Sequence, residues 1–191
     1  MSTASPIGSA AHRSTEELDR HLDRVRAAPA DRGELQLIVG RPDVNERVAL
    51  DSGELDPAIG LVGDNWFVRG NTKTPDGSAD PEAQITLMNA RAADAVAIER
   101  ARWALCGDQL YADFDISVDN LPPGMRVAIG EAVLEISAKP HTGCAKFTQR
   151  FGLDAMRWVN SPEGKALRLR GVNCRVVQGG RVALGDTLTK L

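Results

Sequence analysis

The feature that most constrains this chain is a pair of alternating runs around a glycine corner. Val127 and Ile129 precede Gly130-Glu131, and Ala132, Leu134 and Ile136 follow it. Apolar side chains at every second position on both sides of such a corner specify a β-hairpin with one buried face. A lone hairpin is marginal in water and needs further strands. Several stretches can supply them. Leu35-Gln36-Leu37-Ile38-Val39 reads as a strand stopped by Gly40 and Pro42, Glu46 to Leu50 as a second, and Gln84 to Met88 as a third. Tyr111 to Val118 is expected to be another strand. Leu167, Leu169, Val172, Cys174 and Val176 predict one more, broken near Gly171. Gln178-Gly179-Gly180-Arg181 is a tight turn, and Val182 and Leu184 start the last strand.

Helical signals lie between and before these strands. Ser14-Thr15-Glu16-Glu17 matches a capping box, with Leu18, Leu22 and Val25 at helical spacing and Pro29 marking the end. Asn89 can cap a helix over about 90–105, and Phe147 and Phe151 suit a short helix after Cys144. A further helix is expected around Asp154 to Asn160, ending at Ser161-Pro162. Residues 60–64 and 69–81 read as loop, and Leu121-Pro122-Pro123-Gly124 as a turn. The fold class is therefore mainly β with peripheral helices: a curled or barrel-like sheet with helices packed outside. Residues 1–13 are expected to be disordered. The predicted organisation is an N-terminal tail and accessory helix over 1–34, then one β-barrel domain over 35–191.

At 191 residues the chain suits one well-packed core. No apolar run approaches the roughly 18–20 residues of a membrane span, and Met1 to Arg13 lacks the apolar stretch of a secretory signal. Three cysteines, Cys106, Cys144 and Cys174, make an odd count with no CxxC pair, so all three are expected to be thiols. A cytoplasmic protein is predicted.

Charge is uneven. Residues 51–136 carry 6 basic and 15 acidic side chains, whereas residues 137–175 carry 8 basic and 2 acidic. The basic segment suits a bound anion such as phosphate, or it neutralises the acidic part across the fold. Nucleic-acid binding is not expected, because the whole chain is acidic and the basic stretch lacks interleaved stacking aromatics.

The chemically informative segment is Lys139-Pro140-His141-Thr142-Gly143-Cys144-Ala145-Lys146, between a hairpin strand and a helix. Backbone N–H groups at a helix start, Lys146, and His141 when protonated all favour a thiolate at Cys144. Such a cysteine can be a nucleophile, a sulfur carrier or a soft-metal ligand; the alternative is a space-filling thiol. His141 with Cys144 is a poor zinc pair, since His12 and His21 lie in the N-terminal segment. A Cys144–His141 catalytic pair would lack a nameable third member. Neither a P-loop nor a dinucleotide fingerprint is present. Asp108, Asp113, Asp115 and Asp119 read as a solvated strand face, with ligand orientation as the alternative.

Pro140-His141-Thr142-Gly143-Cys144-Ala145-Lys146-Phe147, Arg168-Leu169-Arg170-Gly171-Val172-Asn173 and Gly180 to Asp186 together resemble a MOSC domain, named for the C-terminal part of molybdenum-cofactor sulfurases. Gly60 to Trp66, Gln84 to Leu87 and Leu121 to Gly124 fit the same pattern, so the resemblance spans roughly 35–191. It implies a β-barrel-like fold and a cysteine that handles sulfur or ligates molybdenum in a molybdopterin cofactor. Cys144 takes the place of that cysteine. Arg170 falls in the Arg-Gly segment and Asp186 in the closing turn. Charge makes Lys146, Arg168 and Arg170 candidates for the cofactor phosphate, because guanidinium groups bind phosphate oxygens in pairs; Asn173 completes the candidate set.

Full sulfurases carry a pyridoxal-phosphate desulfurase domain ahead of this one. The chain has no room for it, so pyridoxal phosphate is not expected, and the motif resembles that of short stand-alone bacterial members. Three functions follow as expectations. One is a molybdenum-dependent oxidoreductase or sulfur transferase. Another is a cofactor-free sulfur carrier or docking module served by a donor such as a cysteine desulfurase. The last is a Cys-His thiol hydrolase or transferase.

Overall fold

In a computed structural model, which describes residues 11–191, the hairpin becomes part of a closed barrel. In chain order the elements are α1 (Thr15–Asp19), α2 (Leu22–Arg26), β1 (Arg32–Gly40), β2 (Val48–Leu50), β3 (Ser52–Asp56), β4 (Gly60–Leu61) and α3 (Trp66–Arg69). There follow β5 (Ile85–Asn89), α4 (Ala90–Ala97), a 3₁₀ helix (Arg100–Cys106), β6 (Leu110–Asp113), β7 (Arg126–Ile129) and β8 (Ala132–Ile136). Last come α5 (Ala145–Asn160), α6 (Pro162–Ala166), β9 (Val172–Gln178), β10 (Gly180–Ala183) and β11 (Thr187–Lys190).

Seven strands run in the order β11-β7-β8-β9-β5-β6-β1, and β1 returns to β11 to close the ring. Closure removes the exposed edges an open sheet would leave. β2 adds to β1, and β10, β3 and β4 form a separate three-stranded sheet. The β5–β6 pair is parallel. A parallel pair needs a crossover, and α4 with the 3₁₀ helix supplies it outside the barrel.

Strand alternation divides the interior into two cores. Ile85, Leu87, Leu110, Ala112, Leu134 and Ile136 fill the barrel, while Met88 and Tyr111 face outward and pack with Phe147, Phe151 and Trp158 of α5. In β1 the alternation resets. Leu35 and Ile38 point into the barrel and Leu37 and Val39 away from it, because the pairing with β6 shifts register between Leu35 and Leu37. A bulge is what allows that reset.

Several expected boundaries move. The helix over 90–105 splits at Ile98, whose φ is 68°, into α4 and the 3₁₀ segment. The strand from Tyr111 ends at Asp113, since the Asp115 carboxylate accepts from Ser117 N at 2.9 Å and turns the chain. Leu167 to Arg170 form a turn with Arg168 at φ 50°, so β9 begins only at Val172. The N-terminal helix is two short helices whose Leu18 and Val25 are buried in the outer core. α6 has no counterpart among the expected elements; Ser161 Oγ accepts from Gly164 N at 2.9 Å and starts it at Pro162. Of the tail expected to be disordered, residues 1–10 lie outside the described residues, and Arg13 donates to Asp94 O at 3.1 Å.

The close approach of β1 to the end of β6 leaves no space at Gly33, where a Cβ would sit 2.4 Å from Asp113 O and 2.7 Å from Phe114 Cβ. Gly33→Ala is expected to cost about 2–3 kcal/mol, measured as a fall in the denaturation midpoint.

Candidate functional site

The loop from β8 to α5 is fastened at several points. Asn173 Nδ2 donates to Lys139 O (3.1 Å) and Pro140 O (3.2 Å). Lys139 pairs with Asp80, and Ser137 Oγ donates to Glu82. Further on, Gly143 N donates to Asn160 Oδ1 at 2.9 Å, tying the loop to the far end of α5. Cys144 is thereby held at the N-cap position of α5, exposed, with its backbone carbonyl accepting from Thr148 N. Cys106 and Cys174 are buried. Burial pushes both thiols up, Cys174 to about 12, so Cys144 is the accessible sulfur.

His141 does not turn towards that sulfur. Its Nε2 lies 3.1 Å from Asp108 Oδ1, yet the direction is wrong for a hydrogen bond and both atoms remain buried without one. Burial and then Arg170 lower the His141 pKa, against the pull of Asp108, so the ring is neutral near pH 7. Gly171 makes the approach possible. At φ 101°, a Cβ there would meet Leu87 O at 2.9 Å, Asp108 Oδ1 at 3.0 Å and the His141 ring at 3.4 Å.

Asp108 is no part of a solvated strand face. It is wholly buried and accepts from Arg170 Nη1 at 2.5 Å. Burial alone would raise its carboxyl, but Arg170 and then His141 outweigh that and hold it at about 2. Arg170 also donates to Cys106 O (2.8 Å) and lies over the Phe147 ring of α5. Two further arginines complete the arrangement: Arg150 of α5 donates to Leu105 O (2.7 Å) and Arg41 to Gly107 O (3.1 Å). Carbonyls 105, 106 and 107 at the end of the 3₁₀ helix thus each take one guanidinium, which suits the negative end of a helical segment.

Arg41 opens onto a cavity of about 90 Å³ lined also by Asp43, Val44, Asn45, Arg47, Asn65, Arg69 and Lys146. Four cations share it. Among the described residues the one ion pair formed by them is Arg41 with Asp64 (2.7 Å). Arg47 Nε and Asn65 Oδ1 are buried with no hydrogen-bond partner. Burial and neighbouring arginines lower the pKa of Arg47 and of Arg69. With four cations and Asp43 as its one lining carboxylate, this small cavity carries an excess of positive charge that suits an anion.

Of the phosphate candidates, Lys146 lies in this cavity and Arg170 lies buried behind it. Arg168 does not join them: its Nη1 donates to Ile116 O and Leu121 O, and it lines a different cavity of about 540 Å³ beside His141 and Thr142. Asp186 is engaged in its own turn, where Oδ2 accepts from Ala183 N at 2.7 Å. Arg41, Arg47 and Arg69 were not among the expected residues. Each stands outside the basic segment, and only the fold gathers them.

Comparison with known proteins agrees with this architecture. A family model for the MOSC domain matches residues 74–189, more than half of the chain. The chain belongs to the MOSC domain family. Its fold is similar to that of the YuaD protein from Bacillus subtilis (TM-score 0.58, 15% identity, covering 82% of this chain and 94% of that one). It is similar also to YiiM from Escherichia coli (TM-score 0.53, 19% identity, 83% and 69% covered) and to YiiM from Geobacillus stearothermophilus (TM-score 0.57, 14% identity, 83% and 75% covered). At these identities the likeness concerns the fold. A search of curated proteins finds no match. No helix among the described residues is long and apolar enough to cross a membrane.

The Asp108–Arg170 pair yields a pH prediction. A carboxyl at about 2 against an ordinary 3.8 adds stability that is complete above about pH 4 and is lost as pH falls towards 2. Asp108→Asn, which strands a buried guanidinium, is expected to cost about 3–5 kcal/mol at pH 7. Denaturation between pH 2 and 7 should show that the variant has lost this acid-dependent portion.

Proposed function

We propose that this MOSC domain binds a molybdenum–pterin cofactor, with Cys144 as the metal ligand and the cavity of Arg41, Arg47, Arg69 and Lys146 holding its phosphate. The observation that carries the reading is the orphaned, buried Nε of Arg47 in a cavity of four cations, of which only Arg41 forms an ion pair among the described residues. An unpaired buried donor on a cation is costly, and phosphate oxygens satisfy it bidentately. The exposed thiol of Cys144 suits a soft metal, and Lys146, two residues along α5, links it to the cavity. The donor set therefore fits the group. When bound, it supplies a redox-active metal that no side chain here can replace.

The chain's own residues have separable tasks in this reading. Arg47 and Lys146 hold the anion. Asn173 and Asn160 fix the loop that presents Cys144. His141, neutral and facing Asp108, lines the neighbouring cavity. Activity would place the protein among molybdenum-dependent oxidoreductases or sulfur transferases.

A second reading, sulfur carriage on Cys144 without the cofactor, draws on the exposure of that thiol and its lack of a side-chain partner. A cysteine desulfurase would then be the donor. Persulfide on Cys144, seen by intact mass after incubation with a desulfurase in protein that retains no molybdenum, would favour it.

Purification from a host that makes the cofactor tests the first reading. Wild-type protein is expected to carry molybdenum and pterin together. Cys144→Ser should lose the metal, and Arg47→Gln should retain roughly tenfold less pterin, the loss of about one charge-assisted contact. If wild-type protein is empty under those conditions, the cofactor reading is wrong.

A further inference from the structure

Beside the arginine cavity lies a larger groove of about 680 Å³, lined by Pro42, Val44, Ile59, Leu61, Phe67 and Val68 among others. Its size falls in the range of small-molecule sites, roughly 300–1,000 Å³. Its apolar side chains are unusually open: Val68 is 88% exposed, Val44 59% and Phe67 55%. Scattered apolar residues on a surface need no explanation, but a cluster lining one concavity does. The two spaces are continuous, since Asp43, Val44, Asn65 and Arg69 line both.

Arg69 stands at that junction. Its guanidinium forms no ion pair among the described residues, although burial lowers its pKa and Arg41 repels it. Asp64, the nearest fixed carboxylate, is spent on Arg41 through two contacts (2.7 and 2.9 Å) and on Trp66 N. The other carboxylate on the rim, Asp43, accepts from Val44 N. An apolar trough thus ends at an unmatched cation.

We infer that this groove binds a compact apolar or aromatic compound bearing one anionic group, with Phe67, Val68 and Val44 covering the apolar part and Arg69 meeting the anion. The inference deepens the proposed function by naming the class of compound held beside the cofactor cavity. It rests on that reading in sharing Arg69 with the cofactor cavity, so the test uses protein made without the cofactor, in which Arg69 is free to meet the groove's ligand.

The test is a titration of full-length protein, made in a host unable to synthesise the cofactor, with 4-phenylbutanoate and with its uncharged amide, followed by calorimetry. The acid is expected to bind at least about fivefold more tightly than the amide. Arg69→Gln should remove that preference, and Phe67→Ser should weaken both compounds. Arg157→Gln, a cation on the far part of α5, should change neither. Because the acid–amide comparison needs only wild-type protein, misfolding of a variant does not spoil it. Equal binding of acid and amide, or binding of neither, overturns the inference. So does a concentration-dependent dimer abolished by Val68→Ser with no probe bound, which would assign the groove to a second copy of the chain. Cofactor loading with no probe binding would sink this inference alone; probe binding with an empty cofactor site would sink only the proposed function.

Discussion

Burying a carboxylate and a guanidinium together is expensive unless every remaining donor and acceptor finds company. The Asp108–Arg170 pair meets that condition only in part, since Asp108 Oδ1 and Arg170 Nε stay unpartnered while the neighbouring groups are taken. Asp108 N donates to Tyr111 Oη, which in turn donates to Trp103 O, and the second terminal nitrogen of Arg170 is taken by Cys106 O. The pair therefore locks the 3₁₀ segment to the turn before β9. Through Phe147 it also reaches α5, the helix that carries Cys144. Arg150 and Arg41 fasten the same turn from two other sides. Remove the pair and the loop bearing His141, the start of α5 and the arginine cavity lose their common anchor.

That anchor sits where the barrel core meets the helical core. Inside the ring the side chains are uncharged and mostly aliphatic, with Phe114 the one aromatic, whereas the aromatic-rich outer core packs α4 and α5 against the strands. The parallel β5–β6 pair forces the crossover outside, and the crossover's final turn delivers the three carbonyls that the arginines occupy. A purely antiparallel meander would have no helix end at this place. The candidate site is a consequence of that single parallel pairing.

This explains what the sequence makes legible. The hairpin of β7 and β8 was readable because each strand has one buried face and each partner is near in sequence, with Ile129 opposite Ala132. The Cys144 segment was readable for the same reason, since a strand end, a glycine and a helix start are all local. Asp108 reads as solvated from the sequence because the groups that bury it, Arg170, His141 and Tyr111, come from three separate segments. Ile98 and Arg168 adopt positive φ against their own preference, so a smooth helix and a smooth strand were the natural expectations. The cavity arginines were hidden by position. Arg41, Arg47 and Arg69 are isolated along the chain, while the conspicuous basic run from 137 to 175 spends Arg150, Arg168 and Arg170 on backbone carbonyls and contributes only Lys146 to the cavity.

Charge counts along the chain therefore do not locate the cationic cavity. A guanidinium whose donors are met by carbonyls acts as a strut. One left with an orphaned nitrogen beside other cations is in a different energetic position, because its burial is offset only in part, for Arg47 by the Glu46 carbonyl. Arg47 is of the second kind, and its depressed pKa reflects burial reinforced by like charge. The fold tolerates that cost at Arg47, in a cavity that adjoins an open apolar groove and includes Lys146, two residues from the exposed Cys144. Natural chains seldom retain such uncompensated charge where stability alone is at stake, because a neutral side chain would serve better. An anion entering the cavity would convert the penalty into binding energy, and this is why the site reads as one for a ligand.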